Sequence, residues 1–277
     1  MKISVITVNY NNKKGLEATI NSVISQKYLD FEFIIVDGNS NDGSKDIIYK
    51  KRNYITKWIS EPDSGIYNAM NKGVKMSTGD YLIFMNSGDE FYDTQVLDKI
   101  AKVLLQANEV GVCTGITYNN DKSSSFWYPP KNLTLYYFLS SSISHQASFI
   151  RRDLLLKFPY NEKNRIVSDW EFWIRSIILA DCGYKTTDIV ICKYDRSGMS
   201  NTQYGKLMSE REEVKKRILP PKILKDYYHM TYDSSRENPF VQTALAVSSK
   251  SEFLSKFLNK ISKITYNIYC KYKGVEK

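Results

Sequence analysis

The sequence predicts an α/β fold: a doubly wound, Rossmann-like, mostly parallel sheet flanked by helices, followed by a C-terminal helical extension. Three observations carry that prediction. Residues 3–8 (ISVITV) and 33–36 (FIIV) are short β-branched runs bounded by polar and glycine-containing segments, the pattern of strands buried on both faces. Between them Leu16, Ile20, Val23 and Ile24 recur at helical spacing, which gives a β-α-β unit. The alternation then continues with a helix from about Ser44 to Lys51, a strand at Thr56–Ile59, a helix from about Ile66 to Met76 and a strand at Asp80–Met85. Further on, a helix is expected at Val96–Gln106, a strand at Val110–Tyr118, a helix at Ser168–Leu179 and a closing strand at Asp188–Tyr194. Past residue 200 the composition changes, and a charged helix at Ser209–Leu219 stops at Pro220-Pro221. The expected organisation is one α/β domain over 1–200 and a helical, basic extension over 201–277.

The chain has 277 residues, 42% apolar and 25% charged, which suits a folded globular protein and excludes collagen-like or largely disordered chains. Cys113, Cys182, Cys192 and Cys270 form no C-x-x-C pair, so neither a structural zinc nor a disulfide framework is expected. No apolar run approaches the ~20 residues of a membrane span, and the N-terminus lacks the pattern of a secretory leader. A cytoplasmic location is therefore expected.

The net charge is +9, and its location matters more than its size. Residues 250–277 hold seven lysines and two glutamates, so five of the nine excess charges lie there. On a helical wheel Phe253, Leu254, Phe257, Leu258, Ile261, Ile264 and Ile268 share one face, flanked by Lys256, Lys260 and Lys263. Two readings fit. Such a helix can lie on the anionic inner face of a membrane, each lysine contributing about 1 kcal/mol, or it can dock on its own protein or a second copy. Nucleic acid is not an expected partner, because the charge flanks a continuous apolar face and no recognisable nucleic-acid-binding motif accompanies it.

In open α/β sheets a ligand binds beyond the carboxyl ends of the strands. No G-x-G-x-x-G follows the first strand and no G-x-x-x-x-G-K-[ST] occurs, which argues against a dinucleotide oxidoreductase or a P-loop NTPase. The strand ends carry acids and amides instead: Asp37-Gly38-Asn39-Ser40-Asn41-Asp42-Gly43 after the second, and Asn86-Ser87-Gly88-Asp89 after the fourth. Such groups accept hydrogen bonds from a base or ribose and ligate a hard divalent ion beside a diphosphate.

Taken in order, ISVITV, IIVDGNSNDGS and SEPDSGIYNAMNKGVKMSTGDYLIFMNSGDEF resemble the nucleotide-sugar-binding half of family 2 glycosyltransferases, of the GT-A fold, and most closely the subgroup with colanic-acid-type surface-polysaccharide enzymes. The resemblance implies an inverting transferase that uses a nucleoside-diphosphate sugar, a UDP-sugar first, Mg²⁺ or Mn²⁺, and a glycan or lipid-linked glycan acceptor. It implies that Asp37 accepts from the base, that Thr7, Asn9 and Tyr10 line the base pocket, and that Asp63 and Asn71 lie near the ribose or diphosphate. Asn86 and Ser87 would also face the donor. The acid block that usually reads D-x-D-D is here Asn86-Ser87-Gly88-Asp89, with glycine at a position that commonly ligates the metal. Asp89 and Asn86 remain as the implied metal ligands.

Asp169-Trp170-Glu171-Phe172-Trp173 resembles the family's catalytic helix start, with Asp169 as the general base. A second reading makes Ser168 or Asp169 an ordinary N-cap, with Trp170 and Trp173 in the core. His145, Gln146 and Trp170 are implied on the acceptor or diphosphate side, and Gly198-Met199-Ser200 matches a loop that follows the catalytic helix. Phe126, Trp127, Tyr128, Tyr136, Tyr137 and Phe138 could stack on sugars or pack in the core. The alternative to a transferase is a catalytically impaired nucleotide-binding or scaffold protein at the membrane.

Overall fold

The computed structural model of the chain describes residues 1–107, 110–119, 124–195 and 203–229. Strands β1 (Ile3–Asn9) and β2 (Phe31–Asp37) pair in parallel from Ile3 opposite Phe31 to Asn9 opposite Asp37. Both are buried almost throughout, as their unbroken apolar runs require. β3 (Lys57–Ser60) adds to β2 and β4 (Tyr81–Phe84) to β1, again in parallel. The crossovers run through α1 (Lys13–Ile24), α2 (Ser44–Lys51) and α3 (Ile66–Met76). Parallel pairing makes all four strands exit on one edge, so the segments after Asn9, Asp37, Ser60 and Phe84 meet there. On the sheet face, Gly73 lets α3 approach β1: a Cβ at that position would lie 2.5 Å from Ile6 Cγ2.

The remaining elements are β5 (Glu90–Phe91), α4 (Val96–Leu105), β6 (Val112–Asn119), β7 (Ser125–Trp127), α5 (Leu135–Ser140), β8 (Ser148–Arg151), α6 (Arg152–Lys157), α7 (Ser168–Trp173), β9 (Tyr184–Tyr194), α8 (Tyr204–Ile218) and α9 (Pro221–Tyr228). The sheet order is β3-β2-β1-β4-β8-β6-β9-β5, with β7 on β6. The predicted α/β architecture is present, and its parallel part is β3-β2-β1-β4. Beyond β4 the sheet is mixed: β8 runs antiparallel to both β4 and β6, β6 and β9 are parallel, and β5 is antiparallel to β9. The chain falls into two compact units, 1–214 and 215–277.

Several elements differ from expectation for local reasons. β8 offers only Phe149 and Ile150 as a consecutive fully buried apolar pair, too little pattern to read as a strand. β9 begins at Tyr184, ahead of the expected Asp188, because Lys185, Thr186 and Thr187 conceal its start. The helix expected over Ser168–Leu179 is α-helical to Trp173 and continues in wider turns over Ile174–Leu179, where the Ala180 N–H reaches the Arg175 carbonyl at 3.1 Å. Pro220 follows the end of α8, and Pro221 occupies the first turn of α9, where its missing N–H costs nothing. Residues 230–277, including the basic amphipathic pattern, and Gly198–Ser200 lie outside the described residues. Among the described residues no helix is long and apolar enough to cross a membrane.

At the sheet edge opposite the strand-end loops, Glu32 is 1% exposed and takes hydrogen bonds from Ser4 Oγ (2.6 Å), the Gly79 N–H (3.1 Å) and the Thr78 N–H, with Lys2 Nζ at 3.4 Å. Burial opposes its charge, but the donors from Ser4 and Thr78 and the Lys2 cation outweigh burial and hold its carboxyl below the usual range. Removing the acceptor strands the buried Ser4 hydroxyl and leaves the Gly79 N–H with Ser4 Oγ alone, at 2.9 Å. Glu32→Ala should lower unfolding free energy by about 3 kcal/mol, read by urea denaturation; a loss below about 0.5 kcal/mol would contradict this account.

Candidate active site

The strand-end edge is organised by Asp37, which is fully buried. Its Oδ1 accepts from Asn9 Nδ2 (2.8 Å) and Ser40 Oγ (2.6 Å); its Oδ2 accepts from the Ser40 N–H (2.9 Å) and Ser60 Oγ (2.6 Å). Burial pushes the carboxyl up, but the bonds from Ser40, Ser60 and Asn9 prevail and hold it below the usual carboxylate range. Asp42, the second acid of the same loop, ties two helix starts together through the Lys13 N–H at 2.7 Å and the Ser44 hydroxyl at 2.6 Å.

Beside this hub Tyr10 and Asp63 close on Gly38. A Cβ on Gly38 would come 2.5 Å from Asp63 Oδ2 and 3.1 Å from the Tyr10 ring, so Tyr10, Gly38 and Asp63 face one another and only glycine fits between them. Tyr10 is exposed, and Asn9 Oδ1 is a buried acceptor with no hydrogen-bond partner. An exposed ring, a carboxylate and a free amide oxygen suit a planar base and a ribose.

A chain of polar side chains crosses from here to α7. Asp169 Oδ1 accepts from Tyr67 Oη at 2.9 Å, and Asp169 Oδ2 faces His145 Nδ1 at 3.2 Å. His145 Nε2 faces Asn86 Nδ2 at 3.3 Å, at the end of β4. Tyr67 also donates to the Ile166 carbonyl at 2.7 Å, and burial together with the Asp169 charge keeps its phenol neutral. For Asp169, burial opposes ionisation, but the His145 hydrogen bond and charge and the Tyr67 bond outweigh it and hold the carboxyl below its ordinary value. For His145, burial favours the neutral ring, yet Asp169 and the charge of Asp89 raise its pKa overall. The Asp169 side chain is 17% exposed, so an ionised carboxylate is reachable from outside.

Asn86 Oδ1 is buried and without a hydrogen-bond partner. With the neutral His145 ring accepting from Asn86 Nδ2, the amide oxygen is left for a hydrogen-bond donor or a cation. Asp89 is 5% exposed, and burial pushes its carboxyl up to about 7, opposed by the Asp195 N–H and His145 and reinforced by the Asp195 charge. The Asp195 N–H donates to Asp89 Oδ1 at 3.0 Å. Among the described residues no three His, Cys, Asp or Glu side chains form a ready-made metal cage. One or two carboxylates, an amide oxygen and a diphosphate nevertheless match the way Mg²⁺ and Mn²⁺ are held beside phosphates, so these residues fit the ion.

Some implied site residues are elsewhere. Thr7 is fully buried and donates to the Met85 carbonyl at 2.7 Å, so it joins β1 to β4 and lines no pocket. Asn71 is 7% exposed and holds Tyr160 and Glu162, with its Nδ2 2.8 Å from the Tyr160 carbonyl and 2.9 Å from Glu162 Oε1. Trp170 is 1% exposed, with Nε1 bonded to the Phe138 and Ser141 carbonyls at 2.6 and 3.1 Å; it belongs to the core and offers nothing to an acceptor. Gln146 is likewise buried and faces no solvent. Ser87 lies at the edge, its carbonyl held by Asn12 Nδ2 at 3.0 Å. Of the aromatics, Phe138 is core, whereas Phe126, Tyr128 and Tyr136 are exposed.

Sequence reasoning missed Tyr67, Ser40, Ser60, Asp195 and Glu210. Glu210 on α8 receives the Arg165 N–H at 3.0 Å and the Ile166 N–H at 2.8 Å, which fixes the carbonyl that Tyr67 uses. No spacing rule links such distant positions; only the Gly65-Ile66-Tyr67 helix start hinted that Tyr67 points toward the edge.

A parallel run that feeds a mixed second half, with acids and amides on one edge, defines the GT-A class of transferase folds. Solved structures agree: Staphylococcus aureus TarS 1–349 in complex with UDP-GlcNAc aligns with a TM-score of 0.61 at 20% identity, covering 89% of this chain and 76% of that one. The mannosyltransferase PcManGT from Pyrobaculum calidifontis, in complex with GDP-Man and Mn²⁺, aligns with a TM-score of 0.67 at 16% identity over 99% of this chain and 83% of that one. At such identity the likeness is one of fold. The profile of glycosyl transferase family 2 matches residues 4–166, and the chain belongs to that family. It is 31% identical over 203 residues to an uncharacterised glycosyltransferase of Mycobacterium tuberculosis, covering 72% of this chain and 77% of the relative. It is 30% identical over 225 residues to a PGL/p-HBAD biosynthesis glycosyltransferase of Mycobacterium bovis, covering 78% and 85%.

The His145–Asp169 pair gives a testable pH dependence. His145 is raised, so its contribution is complete below about 6.5 and is lost as pH rises through the folded value; Asp169 is lowered, so its contribution is present above about 3.9 and is lost as pH falls through the folded value. The drop in thermal midpoint caused by His145→Gln, measured in chelator, should be largest between about pH 4 and 6.5 and shrink on both sides. A drop that is constant from acid to alkaline pH would exclude an ion pair.

Proposed function

We propose that the chain transfers a sugar from a nucleoside-diphosphate donor, a UDP-sugar first, to a glycan hydroxyl with inversion at the anomeric carbon. The observation that carries this reading is Asp169: an ionised, partly exposed carboxylate at the start of α7, oriented by Tyr67 and His145. In the proposed step Asp169 takes the proton of the acceptor hydroxyl. The acceptor oxygen bonds to the anomeric carbon on the face opposite the diphosphate, and the bond to the diphosphate oxygen breaks. Tyr67, kept neutral, and His145 hold Asp169 in one rotamer, so the base is pre-oriented. Tyr10, Asn9 and Asp63 form the proposed cleft for the base and ribose, behind Gly38. Asn86 and Asp89 would hold the divalent ion, Mg²⁺ or Mn²⁺, whose chemistry there is to neutralise charge on the departing diphosphate.

Asp169→Asn should reduce turnover by about 10²–10⁴-fold while leaving UDP affinity within about twofold, with release of nucleoside diphosphate measured across a panel of sugar nucleotides. Undiminished turnover would remove the assignment of the base. No turnover by the unmodified chain with any donor and acceptor, together with retained UDP binding, would favour the scaffold reading.

The acceptor proposed is a lipid-linked glycan met at the inner face of the membrane, a reading supported by the basic amphipathic pattern of residues 250–277. The full chain should sediment with vesicles containing anionic lipid at low salt, and a chain lacking 250–277 should stay in the supernatant. Equal sedimentation of both would leave the tail to protein docking.

A further inference from the structure

Gly88 cannot carry the acid that the family's block often has at this place. Its φ is +109°, a region L-side chains rarely adopt, and a Cβ there would lie 2.6 Å from Asp195 Oδ2 and 3.3 Å from the Asp195 Cβ. The space beside Gly88 is therefore already filled by a carboxylate, delivered by the residue that follows β9. Register explains how. β5 and β9 pair antiparallel with Phe91 opposite Cys192 and Glu90 opposite Lys193, and continuing that register two residues toward the strand-end edge sets Asp195 opposite Gly88. The Asp195 N–H closes the arrangement by donating to Asp89 Oδ1 at 3.0 Å.

Two carboxylates thus meet in a largely buried corner next to Asn86, whose Oδ1 is buried and finds no hydrogen-bond partner. Like charges so placed repel, and an amide oxygen without a donor is costly. A divalent cation relieves both, and for Mg²⁺ or Mn²⁺ two carboxylates plus substrate phosphates are an ordinary set.

We infer that Asp195 is the carboxylate this chain uses in place of the one absent at position 88, forming with Asp89 and the Asn86 amide oxygen the divalent-cation site that faces the donor diphosphate. The inference rests on the cation-assisted transferase reading above and adds a ligand that the D-x-D-D block does not contain. The block is rebuilt in space, with its acid moved across the β5–β9 ladder. The Asp195 backbone N–H serves Asp89 whatever side chain residue 195 carries, so the substitution tests the carboxylate and not the ladder.

The test is Mn²⁺ binding, read by the paramagnetic resonance of free Mn²⁺ with and without UDP, for the full chain and for Asp195→Ala, Asp195→Asn and Asp89→Ala. Thermal midpoints are taken in chelator. Asp195→Ala should weaken Mn²⁺ binding about 10–100-fold, Asp195→Asn by less, and neither should lower the midpoint in chelator. UDP affinity without metal should not change. If both Asp195 variants bind Mn²⁺ as tightly as the unmodified chain while Asp89→Ala loses it, the inference fails and the cation-assisted reading stands. If the unmodified chain takes no Mn²⁺ even with UDP, both fail. Loss of Mn²⁺ accompanied by a lower midpoint in chelator would make Asp195 a structural residue and likewise overturn the inference.

Discussion

The strand-end edge depends on the buried carboxylate of Asp37. A carboxylate has about four lone-pair positions, and here all four are engaged by Asn9, Ser40 and Ser60. Those donors belong to β1, to the loop after β2 and to β3, so a single side chain sets how three parallel strands end relative to one another. Any one of them moving would leave a charge buried without its full set of donors, which a protein interior tolerates poorly. Gly38, Tyr10 and Asp63 take their positions from that fixed corner. The saturation also limits what Asp37 can do for a ligand: a base that reached it would have to share an oxygen with Asn9 or Ser40.

Negative charge and what balances it is the theme of the other half of the edge. Asp169 is hydrogen-bonded to His145, whose ring also feels the Asp89 charge, Asp195 lies beside Asp89, and Asp89 and Asp169 are both mostly buried. Lysines are plentiful in the chain, but His145 is the cationic side chain hydrogen-bonded to Asp169. Asp169 is satisfied by that pairing and by Tyr67, whereas Asp89 receives a backbone N–H and remains hard to ionise. The corner is therefore divided: its donors hold the Asp169 carboxyl below its ordinary value, whereas burial raises that of Asp89.

What the sequence revealed was what local pattern can encode. β1, β2, α1 and α3 were readable because buried parallel strands and amphipathic helices leave periodic traces, and the ordered motifs that end at Asp89 identified the family. Asp169 was singled out because it stands in the first turn of a helix within a recognisable motif. Trp170 was misplaced for the same reason: next to a reactive carboxylate in sequence, it points the other way along the helix and bonds to Phe138 and Ser141. Thr7 was misplaced because a strand residue near the edge can spend its hydroxyl on a neighbouring strand. Asp195 and Tyr67 were beyond reach, since their partners lie about a hundred positions away and only the folded sheet and the Tyr67–Asp169 hydrogen bond bring them together.

Glu210 bears on where the catalytic unit ends. The change in composition near residue 200 suggested a boundary there, yet Glu210 receives the backbone N–H groups of Arg165 and Ile166, and the Ile166 carbonyl takes the Tyr67 hydroxyl. Through those three bonds the first turns of α8 brace Asp169 from behind. A chain shortened to 1–200 would keep the family's motifs and lose that brace, leaving the Arg165 and Ile166 amides without Glu210. The folded module is thus longer than its signature, and part of the apparent extension supports the loop behind Asp169.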